Sequence, residues 1–168
     1  MIQSFNQDLV QPSLLDRLTD LHPQHATDSG SERVLSVRRL REAILRDVTW
    51  LLNTSHLDSV VDLRAFPQIA ASTLNYGVAT LHGHSMEGVD LNLLRQMIVT
   101  SLRRFEPRLL PGSLHVEALD QGRRPGSLHF RIEADLWAEP VPLRMIMRTE
   151  LDQELDAIRV VEARAESL

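Results

Sequence analysis

Two long stretches of this chain repeat their apolar residues at helical spacing, and both precede a run of alternating residues. In the first, Val37, Leu40, Ile44, Val48, Leu51 and Leu52 fall on one face, opposite Arg38, Arg39, Arg41, Glu42 and Arg46. The spacing predicts an amphipathic helix with Ser36 as N-cap, running down at Asn53-Thr54-Ser55. In the second, Leu91, Leu94, Ile98, Leu102 and Phe105 repeat behind Asp90, a good N-cap. Between them, Phe66 to Ser72 reads as one or two helical turns with Pro67 near the start, and Asn75-Tyr76-Gly77 as a turn. His82 to Gly88 reads as a loop.

After Leu109 the period becomes two. Leu114 and Val116 open one strand, and Asp120 to Gly126 supplies turn residues. Leu128, Phe130, Ile132, Ala134 and Leu136 alternate with His129, Arg131, Glu133 and Asp135 in the clearest strand of the chain. Leu143, Met145 and Met147 predict a third strand, with the two methionines in the core, and Ile158 to Val161 a fourth. Helices followed by an antiparallel meander of about four strands give an α+β fold, the N-terminal helices packed on a C-terminal sheet. The expected division is a flexible arm over residues 1–34 carrying a short docking patch, Leu14-Leu15-Asp16-Arg17-Leu18, then one domain over 35–163, then a tail over 164–168.

The switch from helix to strand falls at Phe105-Glu106-Pro107-Arg108-Leu109. Proline pushes the residue before it out of helical geometry, so Glu106 leaves the axis and Pro107-Arg108 forms a stiff corner. An acid there faces the negative end of the helix dipole, which costs stability. Either an internal ion pair, with Arg103 or Arg104 as candidates beside Arg108, or a partner protein must account for it.

Composition narrows the function. The 168 residues are 43% hydrophobic with a formal net charge of −5, so one core is expected and a nucleic-acid partner is not. Cysteine is absent, which removes disulfides, thiol nucleophiles and thiolate metal sites, and is in keeping with a reducing compartment. No signal peptide and no span-length apolar segment are read, so the expectation is a cytoplasmic protein with no direct membrane insertion. All 18 basic residues are arginine, whose planar fork suits paired carboxylates. His82, His84 and Glu87 lack a third fixed histidine and read as a solvated loop, not a metal site. His115 and His129 are placed on neighbouring strands, able to face each other across the hairpin. Arg38, Arg39 and Arg41 read as a solvated helix face.

The order of these features resembles TssE, the small baseplate subunit of bacterial type VI secretion, itself similar to a wedge protein of contractile-tailed phage baseplates. The resemblance is carried by Leu14 to Leu18, Leu51-Leu52-Asn53-Thr54, Ser72-Thr73-Leu74-Asn75-Tyr76-Gly77 and the Phe105 to Leu109 corner, and spans residues 14–161. The chain departs from the family in carrying Ala79-Thr80 where Pro-Asp is usual, and no glycine at Asp152 to Asp156.

What the resemblance implies is a fold like the interlocking domain of contractile sheath subunits, and a non-enzymatic subunit without cofactor. It would link the wedge to the first sheath ring and help to start sheath assembly. Its partners would be wedge proteins of the TssF, TssG and TssK type and sheath proteins of the TssB and TssC type. The family's Glu-Pro-Arg triplet is here Glu106, Pro107 and Arg108, the expected contact with the wedge, and the strands after Leu143 are the expected sheath-facing edge. The phage relatives have also been catalogued as lysozyme-like, which makes a peptidoglycan hydrolase with Glu106 as general acid the alternative. A second carboxylate would have to come from Asp90, Asp120 or Asp135. Arginines beside Glu106 favour its ionised form, whereas a general acid must hold a proton. Aromatic residues, which saccharide clefts use, are only 4% of the chain.

Overall fold

Helix α2 (Val37–Leu52) buries the stripe its spacing predicts: Leu40, Ala43, Ile44, Val48, Leu51 and Leu52 are all buried. Helix α4 (Leu91–Phe105) does the same with Leu94, Ile98 and Leu102, and the Asp90 carboxylate accepts hydrogen bonds from the Asn92 and Leu93 N–H groups. The computed structural model describes residues 13–19, 24, 37–79, 90–119, 127–137, 142–152 and 157–163. Val37 and Leu91, expected in the buried stripes, are each 41% exposed. Both lie in first turns, before Leu40 and Leu94 open the buried stripes. Ser36, the expected cap of α2, and the turns at Asp120 to Gly126 and Gln153 to Asp156 lie outside the described residues.

The four strands are β1 (His115–Leu119), β2 (Ser127–Leu136), β3 (Leu143–Asp152) and β4 (Ala157–Glu162). They form one antiparallel sheet in chain order. β2 and β3 pair along their full lengths, from Ser127 opposite Asp152 to Leu136 opposite Leu143. One face of the sheet joins α2 and α4 in a single core that includes Phe130, Ile132, Leu136, Met145 and Met147. The expected methionine stripe is therefore core, with Met145 and Met147 fully buried.

The register corrects two readings. His115 lies opposite Glu133 and His129 opposite Leu119, so the two histidines sit at opposite ends of the β1–β2 pairing and do not face each other. β3 is hydrogen-bonded on both sides, so among the strands after Leu143 only β4 is an edge.

Two short elements complete the described chain. α3 (Pro67–Ala70) starts with its proline in the first turn. α1 (Leu14–Leu18) is capped by Ser13, whose hydroxyl accepts from the Asp16 N–H. Leu14, Leu15 and Leu18 remain exposed at 70%, 48% and 74%, so this apolar patch is not part of the core. Between α3 and α4, Gly77 takes φ +125°, a conformation that glycine adopts without steric cost. The turn lets residues 54–56 and 78 clasp: Val78 N–H donates to the Thr54 carbonyl at 2.8 Å and His56 N–H to the Val78 carbonyl at 3.0 Å. The Ser101 hydroxyl donates to the Gly77 carbonyl at 3.0 Å, tying the turn to α4.

Candidate functional site

α4 stops where the proline rule requires. Glu106 is its C-cap with φ −121° and ψ 76°, still donating its N–H to the Leu102 carbonyl at 2.9 Å. The chain then turns and is stitched to the end of β2, with Leu110 N–H bonded to the Asp135 carbonyl and Trp137 N–H to the Arg108 carbonyl, both at 2.8 Å. The corner is thus fixed at both ends, by the helix and by the sheet.

Glu106 turns inward. The residue is 3% exposed, an unusual position for a carboxylate unless it is paired. Its partner is Arg108, which grips it with two parallel hydrogen bonds, Nε to Oε1 and Nη2 to Oε2, each 2.5 Å. Arg103 and Arg104, the other candidates, do not fill this role: the guanidinium of Arg104 reaches the Ala70 carbonyl at 2.7 Å and lies over the Phe105 ring. Pro107 is exposed.

Arg108 reaches further than its own corner. Its Nη2 also donates to Asp47 Oδ2 on α2 at 2.6 Å. Asp47 in turn holds Arg46 at 2.8 Å, and Arg46 holds Asp16 of α1 at 2.6 Å. Glu106, Arg108, Asp47, Arg46 and Asp16 therefore form a chain of alternating charge that ties the helix-to-strand corner to α2 and to α1. Burial pulls the Arg108 guanidinium down, but the Glu106 and Asp47 carboxylates outweigh it and hold its pKa above the ordinary value. Tyr76 packs edge-to-face on Phe105 with ring centroids 5.2 Å apart, and burial together with the Asp47 and Glu106 charges raises its phenol pKa.

Asp47, Arg46 and Asp16 were not singled out from sequence, although one signal was present. Asp47 lies three residues after Ile44 and one before Val48, at the margin of a buried stripe, where an acid needs a partner. Nothing in the sequence could name Arg108, 61 positions away, as that partner.

Asp16 gives the cluster a pH dependence. Burial alone would raise its pKa, but hydrogen bonds from Arg46 and Ser13 outweigh this and leave the carboxyl below its ordinary value. A carboxyl depressed in the folded state stabilises it above the unfolded pKa, near 4, and that contribution is lost as pH falls through the folded value. The docking of α1 is therefore expected to be intact at neutral pH and to loosen below about pH 4. Amide exchange at Leu18 and Thr19 followed against pH should show this. Asp16→Asn should give fast exchange already at pH 7.

The geometry does not suit glycoside hydrolysis. Glu106 and Asp47 both contact one nitrogen of Arg108, so a guanidinium stands where a sugar and its attacking water would have to be. Asp90 caps the far end of α4, 15 residues long and hence about 22 Å from Glu106. Asp135 uses its backbone N–H and carbonyl to hold Ser113 and Leu110. Asp120 lies outside the described residues, as do His82, His84 and Glu87. An apolar pocket bounded by Leu52, Leu94, Ile98, Phe130 and Leu151 carries no carboxylate. Among the described residues, no group of three or more histidine and acidic side chains could hold a metal ion, and no helix is long and apolar enough to cross a membrane.

Of the arginines read as a solvated face, Arg38 is solvated and pairs with Glu42 at 3.5 Å. Arg41 is not: it pairs with Glu162 and donates to the Arg144 carbonyl at 3.0 Å, binding α2 to the sheet.

No curated protein and no solved structure matches the chain. The family model described as baseplate wedge protein gp25 matches residues 38–141. The matched segment begins within α2, contains Asp47, Gly77 and the whole Glu106 to Arg108 corner, and runs past the end of β2. It covers well over half of the 168 residues, and the chain therefore belongs to the baseplate wedge protein gp25 family.

Proposed function

We propose that this chain is a non-enzymatic structural subunit of a type VI secretion baseplate, of the TssE kind. It works in the cytoplasm at a membrane-attached baseplate and links the wedge, built of TssF, TssG and TssK type proteins, to the first ring of a TssB and TssC type sheath. A structural role in a phage-tail-like baseplate follows from the family. The specific assignment is supported by the ordered motifs between Leu14 and Val161 and by the state of the corner.

One observation carries the reading. The charge of Glu106 is met inside the chain, so the acid braces the corner and does not act on a substrate. What the braced corner offers outward is Pro107 and, hydrogen-bonded to the Arg108 carbonyl through its backbone N–H, Trp137, whose residue is 59% exposed. An exposed tryptophan on a rigid frame is the kind of side chain that dominates protein interfaces. In this reading Glu106, Pro107 and Arg108 bind the wedge as a unit. Glu106 and Arg108 fix the shape, and Pro107 and Trp137 make the contact.

Co-expression with tagged wedge and sheath proteins tests it. Wild-type chain should be recovered with both sets. Pro107→Glu and Trp137→Ala leave the internal pair in place and should lower wedge recovery by about tenfold, equivalent to about 1.4 kcal/mol. Recovery of the wedge at wild-type level by both variants would remove this corner from the interface. Clearing of purified cell walls, abolished by Glu106→Gln, would sink the structural reading.

A further inference from the structure

The outer edge of β4 is occupied by the end of α2. Asn53, the first residue after the helix, donates its side-chain Nδ2 to the Ile158 carbonyl at 2.7 Å and accepts the Ile158 N–H on Oδ1 at 2.8 Å. This is the pair of bonds that a residue on a fifth strand would make. The second Nδ2 hydrogen goes to the Thr49 carbonyl at 2.7 Å, which pins the amide to the last turn of α2. At the other end of the strand Arg41 pairs with Glu162 and holds the Arg144 carbonyl. α2 therefore crosses the core face of the sheet tied to β4 at both ends, and among these contacts only those of Asn53 use the outward backbone of the strand.

The ladder geometry says what this does. In an antiparallel pair, alternate residues turn both backbone groups to the same side. Since Ile158 faces away from β3, so do Val160 and Glu162, and these three residues make up the outward edge of β4. The occupant such an edge invites is a second copy of β4. A two-fold ladder centred on Val160 would join Ile158 to Glu162 of the second copy, Val160 to its counterpart, and Glu162 to Ile158 of the second copy. Other in-step registers are shorter or set Arg159 against Arg159. With Ile158 taken by Asn53 in both copies, the outer pairs are lost and the central Val160 pair stands alone.

We propose that Asn53 is a side-chain plug on the β4 edge that stops two copies of this chain from joining their sheets. The plug keeps a six-residue edge strand from templating its own partner, the hazard that every open sheet edge carries.

The test uses the full chain in sedimentation equilibrium, with amide exchange measured on dilute samples. Asn53→Ala should self-associate about tenfold more tightly than wild type. Its Ile158 amide should exchange about tenfold faster, while those of Arg159 and Val161, which face β3, stay unchanged. Adding Glu162→Pro removes an outward N–H that the two-fold ladder needs and should return the variant to wild-type association. Should Asn53→Ala fail to fold, Asn53→Asp keeps the acceptor for Ile158 N–H but loses the donor, and should associate to an intermediate degree. Association no tighter than wild type in the folded variant, or association that survives Glu162→Pro, would overturn the proposal.

Discussion

Arg108→Ala is expected to lower the free energy of unfolding by about 4 kcal/mol, the range found when one partner of a buried ion pair is removed. In a chain of this size each kcal/mol lowers the thermal midpoint by roughly 2–4 °C, so a fall of about 10 °C or more should be seen by circular dichroism at pH 7. The loss is large because one guanidinium serves two carboxylates. Glu106, whose side chain is 4% exposed, would stay buried at the negative end of α4, and Asp47 would lose its link across the domain. Glu106→Gln should be milder, about 1–2 kcal/mol, because Arg108 keeps Asp47 and some contact with water. Arg108→Lys should not restore stability, since an ammonium cannot present the fork that holds Glu106 at two points while reaching Asp47. If Arg108→Ala proves no more damaging than Glu106→Gln, the shared guanidinium does not hold the corner.

Gly77→Ala is expected to cost about 3 kcal/mol or more. A Cβ at this position would stand 2.2 Å from the Thr54 carbonyl oxygen and 2.9 Å from the His56 nitrogen. Both are backbone atoms in the clasp between residues 54–56 and 78, so neither can swing aside as a side chain would. At φ +125° the new methyl group would also strain its own backbone. Relief requires opening the clasp, which would pull the Gly77 carbonyl away from the Ser101 hydroxyl and loosen α4. Urea unfolding monitored by tryptophan fluorescence should show a lower midpoint with an unchanged slope. A variant within 1 kcal/mol of wild type would mean that the turn relaxes without strain.

The two predictions mark what the sequence could and could not show. The helices and strands were legible because each stripe repeats several times: Leu40, Ile44, Val48 and Leu51 on α2, and Phe130, Ile132, Ala134 and Leu136 on β2, reach the core as their periods imply. The stop at Glu106 was legible from Pro107 alone, a local steric rule. Register was not. Whether His115 meets His129 depends on how many residues the connecting turn consumes, and the turn taken here sets His115 opposite Glu133 and His129 opposite Leu119. At the candidate site, the sequence marked Glu106, Pro107 and Arg108 but not the inward turn of the acid, because its outcome rests on Asp47 from another helix. Asn53 was legible as the end of α2 and as part of a motif, but not as a contact to β4. Its partner lies 105 positions on, a distance over which no spacing rule operates.

The pairing of β2 with β3 bears on where the domain can be cut. The family match ends at residue 141, before β3 begins at Leu143. Yet β3 supplies the hydrogen-bond partners along one whole side of β2, and Met145 and Met147 lie fully buried in the core shared with α2 and α4. A fragment trimmed to the matched segment would leave β2 with an exposed ladder and the core with an open flank. A fragment ending at residue 141 is accordingly expected to fold less stably than one that includes β3, although both contain the whole stretch by which the family is identified.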